Sequence, residues 1–180
     1  SPDGRSLLLT LSKDGNAEVY KMDIQSRSLK RLTNHWSIDT EPTWDHTGKG
    51  FFFTSDRSGG PQIYHKSSED AEPRRITFGS RYNARPRPDD DGKYVYYVHQ
   101  RDQAFHIART NLQTEEETIL TRTGSDESPS VSPNGRMLIY ATKQSGDSVL
   151  TVIAADGGAA YSLPASEGDV REPAWSPIVK

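Results

Sequence analysis

The 180-residue chain has no cysteine, which excludes disulfides and thiolate chemistry and fits a cytosolic or a periplasmic setting. It also lacks any apolar run near the roughly 18 residues that a membrane-spanning helix needs. No Gly-x-Ser-x-Gly nucleophile elbow is present, and there is no room beside the segments described below for the α/β domain that carries one. "SDRSGGP" is glycine-rich but lacks the Lys-Ser/Thr and following helix of a phosphate loop. An excess of positive charge is missing too. Lys and Arg number 22 against 25 Asp and Glu, for a formal charge of -3 and a pI near 5.9, so no nucleic-acid partner is expected. The five histidines (His35, His46, His65, His99, His106) are scattered, and none shares a helical ligand spacing, which argues against metal catalysis. No signal peptide is visible; a targeting segment would lie outside this sequence.

Hydrophobic residues are scarce as well, at 32% with a mean hydropathy of -0.79, a composition that raises the question of disorder. Against disorder stand eight Tyr, five Phe and three Trp, spaced between turn residues. Short strands joined by polar loops have this composition and still fold.

What is present is a repeat. The turn glycines Gly4, Gly48, Gly92 and Gly135 stand 44, 44 and 43 residues apart. Pro42, Pro86, Pro129 and Pro173 keep the same phase, as do the pairs Leu32-Thr33, Ile76-Thr77, Leu120-Thr121 and Leu163-Pro164. After each glycine comes a β-branched or aromatic run, "LLLTLS", "FFFTSD", "YVYYVH" and "MLIYAT". Such runs between Gly, Pro, Asp and Asn read as strands. A second strand follows ("AEVYKMD", "PQIYHKS", "FHIARTN", "SVLTVIAA"), then a shorter polar third. A fourth precedes each glycine ("EPTW", "RPRP", "SPSV", "EPAW").

Four antiparallel strands per repeat of about 44 residues predict an all-β fold, a β-propeller of four-stranded blades. The blades are placed at about 1–40, 41–84, 85–127 and 128–171 of a single domain, with 172–180 as a closing strand. A β-sandwich is the alternative, but it gives no reason for one motif to recur in phase. A lone blade exposes two apolar faces, so stacking copies around an axis is the expected remedy. The chain starts without an innermost strand and ends on one. It is thus read as a self-closing ring of four, as most of a larger ring, or as an open fragment whose ends pair with another copy.

Repeat phase also nominates a site. The loops entering the innermost strands, "IDTEP", "YNARP", "SDESP" and "DVREP", are equivalent and are expected to converge at the mouth of the channel. Asp39, Glu41, Asp126, Glu127, Asp169 and Glu172 would make that mouth acidic, tempered by Arg85 and Arg171. Such a surface suits a basic or hydrogen-bonding protein partner. Weak calcium binding at Glu41, Asp126 and Glu172 is a further reading. A third is that Glu41 and Glu172 bond a neighbouring blade's backbone. "PDDDG" (Asp89 to Asp91) occupies a turn position and lacks EF-hand spacing, so it is read as a solvated turn. Trp44 and Trp175 are assigned to inter-blade packing, Trp36 to an exposed anchor of the kind enriched in binding hot spots, and Asp56 and Arg57 to bracing a loop.

The stretches "TEPTWDHTGKGFFFTSDRSGGPQIY", "ESPSVSPNGRMLIYAT" and "EPAWSP" resemble the TolB propeller family of the Gram-negative Tol-Pal system, in order and over essentially the whole chain. The resemblance implies a six-bladed ring preceded by a small α/β domain, a periplasmic location, and no enzymatic activity. It also implies binding of the peptidoglycan-associated lipoprotein Pal at the channel mouth, in support of outer-membrane integrity, cell division and protein transport. Contact with the Tol protein TolA belongs to the N-terminal part that is not in this sequence. The resemblance places Thr40 and Glu41 at the Pal-facing mouth, with Tyr82, Asn83 and Arg85 in the corresponding loop one blade on; with Asp39, Asp126, Glu127, Arg171 and Glu172 from the repeat phase they make up the expected partner-binding set. The readings from other classes are a propeller-fold hydrolase using its mouth carboxylates as acid and base, an accessory domain of a peptidase, and a purely self-assembling fragment.

Overall fold

Each repeat opens with a side-chain oxygen that folds back over its own turn. Asp45 Oδ1 accepts from the amides of Thr47 and Gly50 at 3.0 and 3.3 Å, and Asp89 Oδ1 from those of Lys93 and Tyr94 at 2.9 and 3.1 Å. Ser1 Oγ takes the Ser6 amide at 2.9 Å and Ser132 Oγ the Met137 amide at 3.0 Å. These anchors are 44, 44 and 43 residues apart. Aspartate and serine suit the place because their short side chains reach the backbone a few residues on. The turn glycines then take φ of 66° to 69°, a region that costs glycine nothing. The "PDDDG" segment is the expected turn: Asp90 and Asp91 are exposed, whereas Asp89 is buried as the anchor.

The protein is described here from a computed structural model that covers residues 1–164 and 168–176. It divides into two compact units, Ser1–Pro88 and Asp89–Lys180. In the first, β1 (Ser6–Leu11), β2 (Glu18–Asp23) and β3 (Leu29–Arg31) form a meander. β4 (Asp39–Trp44), β5 (Phe51–Ser55), β6 (Gln62–Lys66) and β7 (Arg74–Arg75) form a second, and β8 (Asn83–Pro88) packs against β4, β5 and β6. In the second, β9 (Tyr94–Arg101), β10 (Ala104–Asn111) and β11 (Glu117–Ile119) pair antiparallel in order. β12 (Glu127–Val131), β13 (Met137–Gln144), β14 (Asp147–Ala154) and β15 (Ala160–Ser162) complete the set. No helix occurs among the described residues. Strands adjacent in sequence are adjacent in each sheet, which is the blade pattern and leaves no place for the sheet-to-sheet crossings of a sandwich.

The middle strands are apolar because both faces are covered. All five residues of β5 are buried, and Phe51, Phe52 and Phe53 are at most 1% exposed. Each contributes roughly 1.5–3 kcal/mol of hydrophobic stabilisation. Phe51, Phe53 and Tyr64 form one core cluster with Val19 and Leu32 of the preceding repeat. The recurring threonine after the third strand bonds back to the second. Thr33, Thr77 and Thr121 Oγ1 accept from the amides of Val19, Ile63 and Ile107 at 2.9, 3.0 and 2.9 Å. All three hydroxyls are buried, so a hydrophobe there would orphan a buried N–H.

The expected closing strand differs. Glu172 to Ser176 carries no strand assignment, and 177–180 lie outside the described residues. Trp175, expected to pack, is 40% exposed, its amide donating to Ser130 Oγ at 3.1 Å. Trp44 is half-buried, under the ammonium of Lys21.

Candidate functional site

The pre-proline segments share a distortion that repeats as faithfully as the turns. Glu41, Arg85, Ser128 and Glu172, each directly before a proline, have φ of 54°, 60°, 55° and 51°. Strand pairing shifts register there, between Thr40 and Thr43 in β4 and between Glu127 and Ser130 in β12. A non-glycine residue in the left-handed region costs about 1–2 kcal/mol. The chain bears this at four equivalent positions, and in β4 and β12 it coincides with a bulge, the kind of re-aimed backbone found beside functional sites.

In the first unit, two of these positive-φ positions are joined. Glu41 Oε2 accepts from Thr54 Oγ1 at 2.8 Å and from the Arg85 amide at 2.9 Å, while its Oε1 lies 3.2 Å from Arg85 Nε. The Arg85 amide also reaches Thr54 Oγ1 at 3.1 Å, and the Glu41 amide reaches Thr10 Oγ1 at 3.3 Å. Both charged side chains keep about a third of their surface exposed. Tyr82 stands beside them, its phenol held above the usual range by burial and by the charge of Glu41, with Arg85 pulling the other way. Thr40, Glu41, Tyr82 and Arg85 are therefore gathered into one half-buried polar surface.

Three expected contact residues are elsewhere. Asp39, Asn83 and Asp126 are fully buried, which withdraws them from any partner. Their work is internal. Asp39 takes Arg57 Nη2 at 2.7 Å, and burial raises its carboxyl against the pull of Ser55 and Arg57. Asn83 Nδ2 donates to Gln62 Oε1 at 2.9 Å. Asp126 accepts hydrogen bonds from the hydroxyls of Thr121 and Thr123. Both Asp126 oxygens thus serve an internal network. Among the described residues no group of three or more His, Cys, Asp or Glu is placed to hold a metal.

In the second unit Glu127 is half-buried in β12. Arg171 and Glu172 are exposed, with Arg171 3.5 Å from Asp169 in an exposed pair of small worth. Asp56 and Arg57 brace their loop as expected, Asp56 Oδ1 taking the Ile38 amide at 2.8 Å. Trp36 is 82% exposed, beside Ile38 at 50%. Sequence reasoning missed Thr10 and Thr54. The signal was in the repeat, since each lies six residues after its turn glycine.

A family model described as the TolB beta propeller domain matches residues 1–179. The chain is 48% identical over 179 residues to the Tol-Pal system protein TolB of Ruthia magnifica subsp. Calyptogena magnifica, covering 99% of this chain and 42% of that one. It is 58% identical over 64 residues to its namesake in Hahella chejuensis, which covers 36% of this chain and 15% of that one. The crystal structure of TolB from Acinetobacter baumannii superposes with a TM-score of 0.91 at 44% identity, covering 98% of this chain and 45% of that one. This chain thus spans less than half the length of those relatives. By sequence and by fold, the chain belongs to the TolB beta-propeller domain family.

Proposed function

We propose that the chain is a non-catalytic protein-interaction module of the Tol-Pal system. In this reading it binds the lipoprotein Pal in the periplasm through the surface of Thr40, Glu41, Tyr82 and Arg85. Glu127, Arg171 and Glu172 are further contacts, and the outcome is support of outer-membrane integrity. The observation that carries the reading is the Glu41–Arg85 pair. Two opposite charges sit on residues of left-handed φ, already oriented by Thr54 and Thr10, and each is still partly open to solvent. A surface ordered before binding loses less entropy when a partner arrives. Its paired charges set register and partner choice more than bulk affinity. Acid–base hydrolysis fits this site poorly, because the Glu41 carboxylate is already occupied by a guanidinium and a hydroxyl.

The test is a calorimetric titration of the full chain with the periplasmic domain of Pal, wild type beside Glu41→Ala and Arg85→Ala. Each variant is expected to bind about tenfold or more weakly, the effect of losing a charged hydrogen-bond partner. Unchanged affinity in both folded variants removes this surface from the interface.

A further inference from the structure

Two grooves of similar size lie at equivalent places of the repeat, one within each unit. The second unit's groove, of about 530 Å³, is lined by Ile119, Leu120, Thr121 and Ile153 among others. The first unit's, of about 500 Å³, is lined by Arg31, Arg57, Lys66 and His35 and, at its outer edge, by the exposed carboxylates Asp70 and Glu72. Strand register makes the residues comparable. Arg31 pairs with Tyr20 as Ile119 does with Ala108, and Lys66 with Phe51 as Ile153 does with Leu138. The groove is therefore a product of the repeat. The buried ammonium in the first unit is not.

Lys66 is the unusual member. It is 8% exposed, and its ammonium donates to the Leu32 carbonyl at 2.9 Å. Among the described residues it forms no ion pair. One of its three donors is used, and a buried ammonium without a counter-charge is costly. Burial holds its pKa below the usual lysine range, opposed by the charges of Glu72 and Asp70, both exposed. The fold does not require a charge here, since Met22, Thr110 and Ile153 fill the register-equivalent positions. The neighbouring cations are held in place from behind: Arg31 by the buried Glu18 at 2.9 Å and Arg57 by the buried Asp39 at 2.7 Å. His35 Nδ1 accepts the Ser37 amide at 3.1 Å, which leaves Nε2–H as a donor.

We propose that the groove of the first unit binds a small ligand through an oxyanion group, a carboxylate or a phosphate, whose charge is met by the Lys66 ammonium. Arg31 and Arg57, each paired with a buried carboxylate, frame the slot, and His35 Nε2 adds a further donor. This site is separate from the Glu41–Arg85 surface and does not depend on the function proposed for it.

The test is a titration of the full chain, followed by amide NMR, with inorganic phosphate and with succinate. Ionic strength is held constant, and sodium chloride serves as the control. Shifts are expected to cluster on the amides of Leu32, Asn34, His35, Lys66, Asp70 and Glu72. A response to phosphate alone or to succinate alone assigns the anion class, and a response to both assigns a general oxyanion site. Lys66→Met and Lys66→Ile place the residues of equivalent positions in the slot, so both are expected to fold while binding about tenfold more weakly or not at all. Absent or scattered shifts in the wild type overturn the proposal without any variant. So does an equal response to chloride, or undiminished binding in a folded Lys66→Met.

Discussion

Glu18 is a fully buried carboxylate in β2 that holds three donors at once. Arg31 Nη2 lies 2.9 Å from Oε1, the His35 amide donates to the same oxygen at 2.7 Å, and the Thr33 hydroxyl donates to Oε2. Glu18→Ala leaves a guanidinium, a buried hydroxyl and a backbone N–H without their acceptor. Removing one partner of a buried ion pair costs about 3–5 kcal/mol, which in a chain of this size lowers Tm by roughly 10 °C. Glu18→Gln is the informative companion. Gln62 occupies the equivalent place in the next repeat, accepting from Thr77 Oγ1 at 2.8 Å and Asn83 Nδ2 at 2.9 Å while donating to the Ser80 carbonyl at 2.8 Å. The amide oxygen keeps part of the network, and the partly exposed Arg31 turns to water, so Glu18→Gln is expected to cost about 1–2 kcal/mol. Urea unfolding with an unchanged m-value separates the two. A cost below about 1 kcal/mol for Glu18→Ala, or equal costs for the two variants, refutes the assignment of Glu18 as the organiser of this loop.

Two other expectations test steric and protonic features of the same unit. A Cβ at Gly50 would stand 2.3 Å from the Lys66 carbonyl oxygen and 2.4 Å from Asp45 Oδ2. Gly50→Ala is therefore expected to cost about 1–3 kcal/mol by overpacking, and a thermal midpoint within 1 °C of wild type, below what about 1 kcal/mol would move, contradicts the packing described. His65 stacks on Phe52 and lies 3.0 Å from Asp45, and its pKa is lowered by burial against the pull of Asp45. The unfolded chain then binds this proton more readily than the folded one. Stability from His65 is complete above the ordinary histidine value near ~6.5 and is lost as pH falls below it. Urea midpoints at pH 7.5 and 5.5 are expected to converge in His65→Gln relative to wild type, and an unaltered difference argues against the buried imidazole.

The amino-acid order by itself determined what is local. A short oxygen-bearing side chain before each turn, a glycine within it and a threonine returning to the second strand are contacts between residues near in sequence. Their period was therefore enough to count the blades and to name a middle strand such as Phe51–Phe53 as doubly covered. The period also picked out the pre-proline loops. It did not say which of their carboxylates face outward. Asp39 and Glu41 are two carboxylates two residues apart, yet one is sealed beneath Arg57 and the other shares Arg85 at a half-buried surface. That difference turns on the left-handed bulge and on which distant guanidinium and hydroxyl arrive at each oxygen. Lys66 is the same case, since its one-letter context is that of an ordinary strand lysine. Burial depends on which surfaces meet when one repeat packs on the next, and only the tertiary structure brings those surfaces together.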